Sequence, residues 1–205
     1  MKTVKHRFHF IGLAALIGPI GFALSPFAVP ARGDAAPQIW RPAEGALKLL
    51  GAETKIDAFS IRPPLNYKFV SMQQGPNMAY GWTGAPHPNG ILPALYFTIA
   101  AIPPDDQTNL TLEDGVAAQI RSQRKHEPDA IFSKPEYGTV NGLATARFYW
   151  KGHDRLNLMR HGLCYLTISG KMICMAGAQD IEPYSASSLP IMEAAIQTFR
   201  KPSEP

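Results

Sequence analysis

The chain has 205 residues, 45% of them hydrophobic and 18% charged, a balance that excludes a disordered polymer and suits a buried core. Its 20 Lys and Arg stand against 16 Asp and Glu, but residues 1–31 hold Lys2, Lys5 and Arg7 with no acid, so the rest carries 17 against 16. That near-neutral remainder excludes the broad basic field that draws nucleic acid, and no nucleic-acid partner is expected.

The opening MKTVKHRFHF is basic, and the following IGLAALIGPIGFALSPFAV is apolar and broken by Pro19 and Pro26. That is the layout of a secretory signal. Its uninterrupted apolar part, roughly Phe10 to Leu24, is shorter than the ~20 residues of a membrane span. Residues 1–31 therefore read as a signal peptide with cleavage near Ala31 or Ala35, and the product as secreted or periplasmic. If the segment is retained instead, the protein is a membrane-tethered envelope module, and only then is a membrane a partner. About 170 residues remain, the size of one domain.

Residues 32–55 are rich in Ala, Gly and Pro and read as a flexible leader, with at most a helical turn near Ala46 to Leu50. The domain proper spans 56–201. It opens on a short strand, Ile56 to Ile61, stopped by Pro63 and Pro64. Strands follow at Tyr67 to Met72, Met78 to Thr83 and Ala94 to Ile102; the last is apolar almost throughout, as a strand covered on both faces must be. Between the last two, GAPHPNG at 84–90 reads as an exposed loop.

Residues 111–127 have helical period, with Leu112, Val116 and Ile120 on one face, Thr111 and Asp114 spaced as a capping box, and Pro128 as the stop. Gly115 weakens that helix by about 1 kcal/mol relative to Ala. Strand-like runs then cover 130–133, 137–140, 143–151, 156–168 and 171–176. A final helix places Ile191, Met192, Ala195, Ile196 and Phe199 on one face, with Ser187 or Ser188 and Pro190 as cap and first turn. The class is α+β, a mostly antiparallel sheet with one helix midway and one at the end.

Three stretches resemble the PsbP-like superfamily. PPLNYKF looks like the Pro-x-x-Trp/Tyr that closes its opening strand, VNGLATARFYW resembles its Asn-Gly turn into a long strand, and AAIQTFR is similar to its terminal helix, with Thr198-Phe199 where Ser-Phe is usual. The resemblance implies an α-β-α sandwich, an antiparallel sheet with helices on both faces. Its members include photosystem II extrinsic subunits, a Ran-binding import factor and bacterial envelope proteins of unknown role, which mostly bind partners rather than catalyse. It therefore implies an exported non-enzymatic domain that binds a protein or cell-envelope partner, and no ligand residues carry over position by position.

The residues themselves point to no cofactor, metal site or catalytic set. Ser169-Gly170-Lys171 resembles the end of a phosphate loop, but Tyr165 and Met172 stand where Gly and Ser/Thr are required. No G-x-S-x-G, H-E-x-x-H, C-x-x-C or G-x-G-x-x-G occurs. A hydrolase with a site hidden in sequence would draw on His153, Asp154 and His161. Arg121, Arg124 and Lys125 read as a solvated helix face. Trp82, leading into the 84–90 loop, and His87 within it are the candidate partner contacts.

The two cysteines, Cys164 and Cys174, flank a β-turn, and loop length decides their relation. A two-residue Ser169-Gly170 loop puts them on opposite sides of the sheet, whereas a three-residue loop of Ile168 to Gly170 puts them face to face, and one residue of slip interconverts the two. The second register is preferred because it groups Cys164, Leu166, Met172, Cys174 and Ala176 on one apolar face, which makes Cys164–Cys174 a candidate disulfide. The alternatives are a buried free pair or reactive thiols.

Overall fold

The computed structural model of the chain describes residues 38–74, 77–102 and 110–201; the expected signal peptide and both expected cleavage positions lie outside them. Eleven strands and three helices run in the order β1 (Gln38–Trp40), α1 (Glu44–Leu47), β2 (Thr54–Ile56), β3 (Phe59–Ile61), β4 (Lys68–Gln74), β5 (Asn77–Thr83), β6 (Ala94–Ala101), α2 (Leu112–His126), β7 (Ile131–Phe132), β8 (Glu136–Val140), β9 (Leu143–His153), β10 (Met159–Ser169), β11 (Met172–Ile181) and α3 (Ser185–Ile196). Nine strands form one sheet, ordered β1-β8-β9-β10-β11-β6-β5-β4 with β7 beside β9, and β2 pairs β3 in a separate hairpin. Every pairing is antiparallel except that of β1 with β8. Among the described residues no helix is long and apolar enough to cross a membrane.

Period-2 alternation distributes the sheet's side chains between two cores. Leu163 and Tyr165 of β10, with Leu95, Phe97 and Ile99 of β6, pack with Met192, Ala195 and Ile196 of α3 and with Phe199. Their neighbours Cys164 and Leu166, with Tyr96, pack with Val116 of α2. Glu193 ties α3 down further, its Oε1 accepting from the Tyr149 and Tyr165 hydroxyls at 2.7 Å and from Arg147 at 3.2 Å. The α2 cap forms as its spacing predicts: Thr111 Oγ1 accepts from Asp114 N and the Asp114 carboxylate accepts from Thr111 N, each at 3.1 Å. Asn141 and Gly142, at φ 48° and 80°, make the turn between β8 and β9.

The structure corrects four expectations about the fold. From Gln38 onward the leader belongs to the fold: β1 adds to the sheet edge, and Trp40 is 4% exposed, with the Tyr165 ring edge-on at 5.7 Å and the Arg147 guanidinium over it at 4.7 Å. A Pro- and Gly-rich composition conceals that single aromatic anchor. Ile56 to Ile61 is not one strand, because Asp57 at φ 54° turns the chain into the β2–β3 hairpin. Helix α3 starts at Ser185 after Tyr184, with Pro190 inside it, because Ser188 gives its hydroxyl to Asp180 instead of capping.

The cysteine register is neither of those expected. Ser169 faces Met172 across a Gly170-Lys171 turn, with Gly170 at φ 59° supplying the positive dihedral of a type II′ turn. Cys164 therefore faces Gly177 and Cys174 faces Thr167, in different cores, and both thiols are free and buried. The expected disulfide is absent because an odd offset along the ladder sends the two sulfurs to opposite sides of their strands.

Candidate functional site

Trp82 and His87 part company in the structure. Trp82 pairs with Leu95 and Phe69 across its two ladders and is 2% exposed, its ring 5.1 Å from Phe69 and 6.1 Å from Phe97. Its strand position makes it core, so the indole is not the partner contact expected of it. His87 lies in the loop between β5 and β6, and its ring is held on two sides. Nε2 meets Asp180 Oδ1 at 2.8 Å, and the ring stacks on Tyr184 at 3.8 Å with an interplanar angle of 8°.

Asp180 is the centre of that anchor. Its side chain is fully buried, and Oδ1 also accepts from Ile181 N at 2.8 Å while Oδ2 accepts from Ser188 Oγ at 2.6 Å. A buried carboxylate must be satisfied in this way or cost several kcal/mol. Burial pushes the nearby Tyr67 hydroxyl up to about 12, with the Asp180 charge adding to the effect. The loop is closed at its base by Gly84 N donating to Pro93 O at 3.1 Å and higher up by His87 N donating to Ile91 O at 2.8 Å. Pro86, Pro88, Asn89 and Gly90 are left exposed on it.

The other sequence candidates acquire local partners. His153 Nδ1 meets Asp129 at 2.7 Å, His161 Nε2 meets Glu182 at 2.7 Å, and Asp154 Oδ1 accepts from Leu156 N and Leu158 N at 2.8 and 3.0 Å. The three side chains thus serve separate local contacts. Arg124 lies over the Phe132 ring at 5.4 Å, covering apolar surface. Burial pushes the Cys164 thiol up to about 12 and Cys174 in the same direction, the reverse of what a nucleophilic thiolate requires. Among the described residues no three His, Cys, Asp or Glu side chains are grouped to hold a metal ion.

A second feature had no signal in the sequence. An open groove of about 260 Å³ is lined by Glu53, Arg62, Asn141, Thr198 and Arg200, together with Pro42 and Gln197. Arg62 is fixed by backbone carbonyls where α1 ends, donating from Nε to Gly51 O at 3.0 Å and from Nη2 to Leu50 O and Leu47 O at 3.3 and 3.4 Å. Arg200 holds Glu53 in a fork, at 3.1 Å to Oε1 and 2.8 Å to Oε2, and its backbone bridges Ser60. The Arg200 hydrogen bond, then that of Ser60, holds Glu53 below the ordinary carboxylate range, and the Arg62 charge adds to this. Asn141 reaches across to Gln197 O and Phe199 O at 3.1 and 2.8 Å, binding the β8–β9 turn to the end of α3.

No family model matches the chain, and comparison with curated proteins finds no match. Solved structures do match. The cyanobacterial PsbP (CyanoP) from Synechocystis sp. PCC 6803 is 12% identical over 74% of this chain and 92% of its own, with a TM-score of 0.56. LpqN of Mycobacterium tuberculosis, described as involved in cell envelope biogenesis, is 11% identical over 74% and 86%, with a TM-score of 0.54. A protein of unknown function, PA94 from Pseudomonas aeruginosa, is 11% identical over 75% and 98%, with a TM-score of 0.51.

Proposed function

The fold is PsbP-like, and from it we propose that the chain is an exported, non-enzymatic binding module that presents the loop between β5 and β6 to a protein or cell-envelope partner. One observation carries this reading: the loop is exposed at its tip yet fastened underneath through His87, Asp180 and Tyr184. A loop ordered before the encounter loses little conformational freedom on binding, which favours affinity. His87 stays the candidate contact at the edge of the exposed tip, while Trp82 lies in the core. The division of β10 side chains between an α2 core and an α3 core supports helices on opposite faces of the sheet, the sandwich arrangement. Export rests on the signal-like residues 1–31 and is supported by the resemblance in fold to LpqN.

The test is a photo-crosslinking amino acid at Asn89, compared with one at Lys55 outside the loop, in cells expressing the whole chain. A discrete adduct at Asn89 that weakens in His87→Ala supports the loop; equal labelling at both positions refutes it. N-terminal sequencing of the exported product is expected to begin at Arg32 or Ala36, and an intact Met1 terminus in the membrane fraction replaces export with tethering.

A further inference from the structure

The groove bounded by Arg62 and Arg200 lies apart from the His87 loop, among α1, β3, the β8–β9 turn and the end of α3. Two guanidinium groups and one carboxylate line it, leaving an excess positive charge. The two arginines differ in how they are satisfied. Arg62 is held by carbonyl oxygens, which fix its direction without neutralising it, and it forms no ion pair among the described residues. Arg200 has its planar fork already occupied by the Glu53 carboxylate, and both side chains of that pair are about half exposed, at 51% and 42%. An exposed ion pair of this kind is weak, and although Glu53 also accepts from the Ser60 hydroxyl, another oxyanion can compete with it for the Arg200 fork. The guanidinium fork matches carboxylate and phosphate oxygens in the same bidentate manner. Asn141 and Thr198 shape the rim and leave the binding to the guanidinium groups, because Asn141 donates to Gln197 O and Phe199 O and the Thr198 hydroxyl donates to Ala195 O.

We propose that this groove binds a small oxyanion, a carboxylate or phosphate group, between Arg62 and Arg200, with Glu53 as a built-in competitor for the same guanidinium. Its volume, about 260 Å³, lies below the ~300–1,000 Å³ of sites that enclose a drug-sized molecule. The ligand is therefore a small acid or the acidic end of a larger one.

The competitor gives the test two directions. Amide spectra of the ¹⁵N-labelled chain are titrated with sodium phosphate and, separately, sodium succinate, against sodium chloride at fixed ionic strength. Saturable shifts at Asn141, Thr198 and Arg200 are expected; saturation by phosphate alone assigns a phosphate ligand, and by succinate alone a carboxylate. Arg200→Gln, at an exposed position, is expected to weaken the response at least fivefold, and Arg62→Gln more. Glu53→Gln is expected to tighten it at least threefold, which a merely structural ion pair would not do. If Arg62→Gln loses its folded spectrum, the other two variants decide. Shifts that grow linearly with either salt, that match chloride, or that weaken in Glu53→Gln overturn the proposal.

Discussion

Replacing Gly115 with Ala sets a local preference against a packed core. Helix propensity alone makes Gly115→Ala stabilising by about 1 kcal/mol. In the structure, however, a β-carbon at this position would stand 2.4 Å from Leu166 Cδ2 and 3.6 Å from Ile173 Cδ1. The first distance is more than 1 Å inside an ordinary carbon contact of ~3.5–4.0 Å. Leu166 is 1% exposed and packed with Val116, Phe148 and Met175, so it can yield only by displacing core neighbours. Overpacking of this kind costs ~1–3 kcal/mol, so the net effect is a loss between near zero and about 2 kcal/mol. Leu166→Ala alone is expected to cost ~2–5 kcal/mol, and in that background Gly115→Ala should recover the helical gain, giving a coupling of ~1–3 kcal/mol. Urea unfolding of the four proteins, followed by tryptophan fluorescence and circular dichroism, measures the cycle. Equal stabilisation by Gly115→Ala in both backgrounds, with a coupling below ~0.5 kcal/mol, would refute the contact.

Trp40→Ala is expected to lower stability by ~3–5 kcal/mol in the same urea assay, whereas a tryptophan in a flexible leader would be lost without effect. Both cysteines should remain unreactive toward a chromogenic disulfide reagent in the native protein and both react after denaturation, with the intact mass matching two thiols; native labelling or a mass two daltons lower contradicts the register. The lowered folded-state pKa of Glu53 means its contribution to stability is present above the ordinary value of 4.5 and fades as pH falls through the lower folded value. Melting temperatures of the wild type and Glu53→Gln should therefore differ slightly at pH 7 and converge in acid. A gap that persists or widens below pH 4 contradicts that sign.

Features decided by neighbouring residues could be read directly from the chain. Thr111 and Asp114 cap α2 because the partners lie three residues apart, and β6 takes its central place because Ala94 to Ile102 is apolar on both alternating faces. Asn141-Gly142 turns β8 into β9 because both residues accept positive φ. The PsbP-like resemblance rested on such local signals and agrees with the fold. His87 was found because its loop is rich in Pro and Gly; Asp180, which anchors it, was not, because nothing in the chain marks a contact spanning 93 positions.

Whatever depended on partners distant along the chain took its meaning only from the folded molecule. The cysteines show this at the scale of one residue: alternation placed both on strands, but a turn at Gly170-Lys171 set the ladder and sent the sulfurs into different cores. Trp40 reads as an isolated aromatic in a Pro-rich segment until Tyr165 and Arg147 close on it from β10 and β9. Glu53 and Arg200 are 147 positions apart, and Arg62 acquires its fixed orientation from the carbonyls of Leu47, Leu50 and Gly51, at the end of α1 and just beyond it. Helical period, caps and turns are consequences of backbone geometry within a few residues, so composition and spacing encode them. Register, burial and the convergence of charge in a groove arise from packing across the whole chain, and only the tertiary structure brings those residues together.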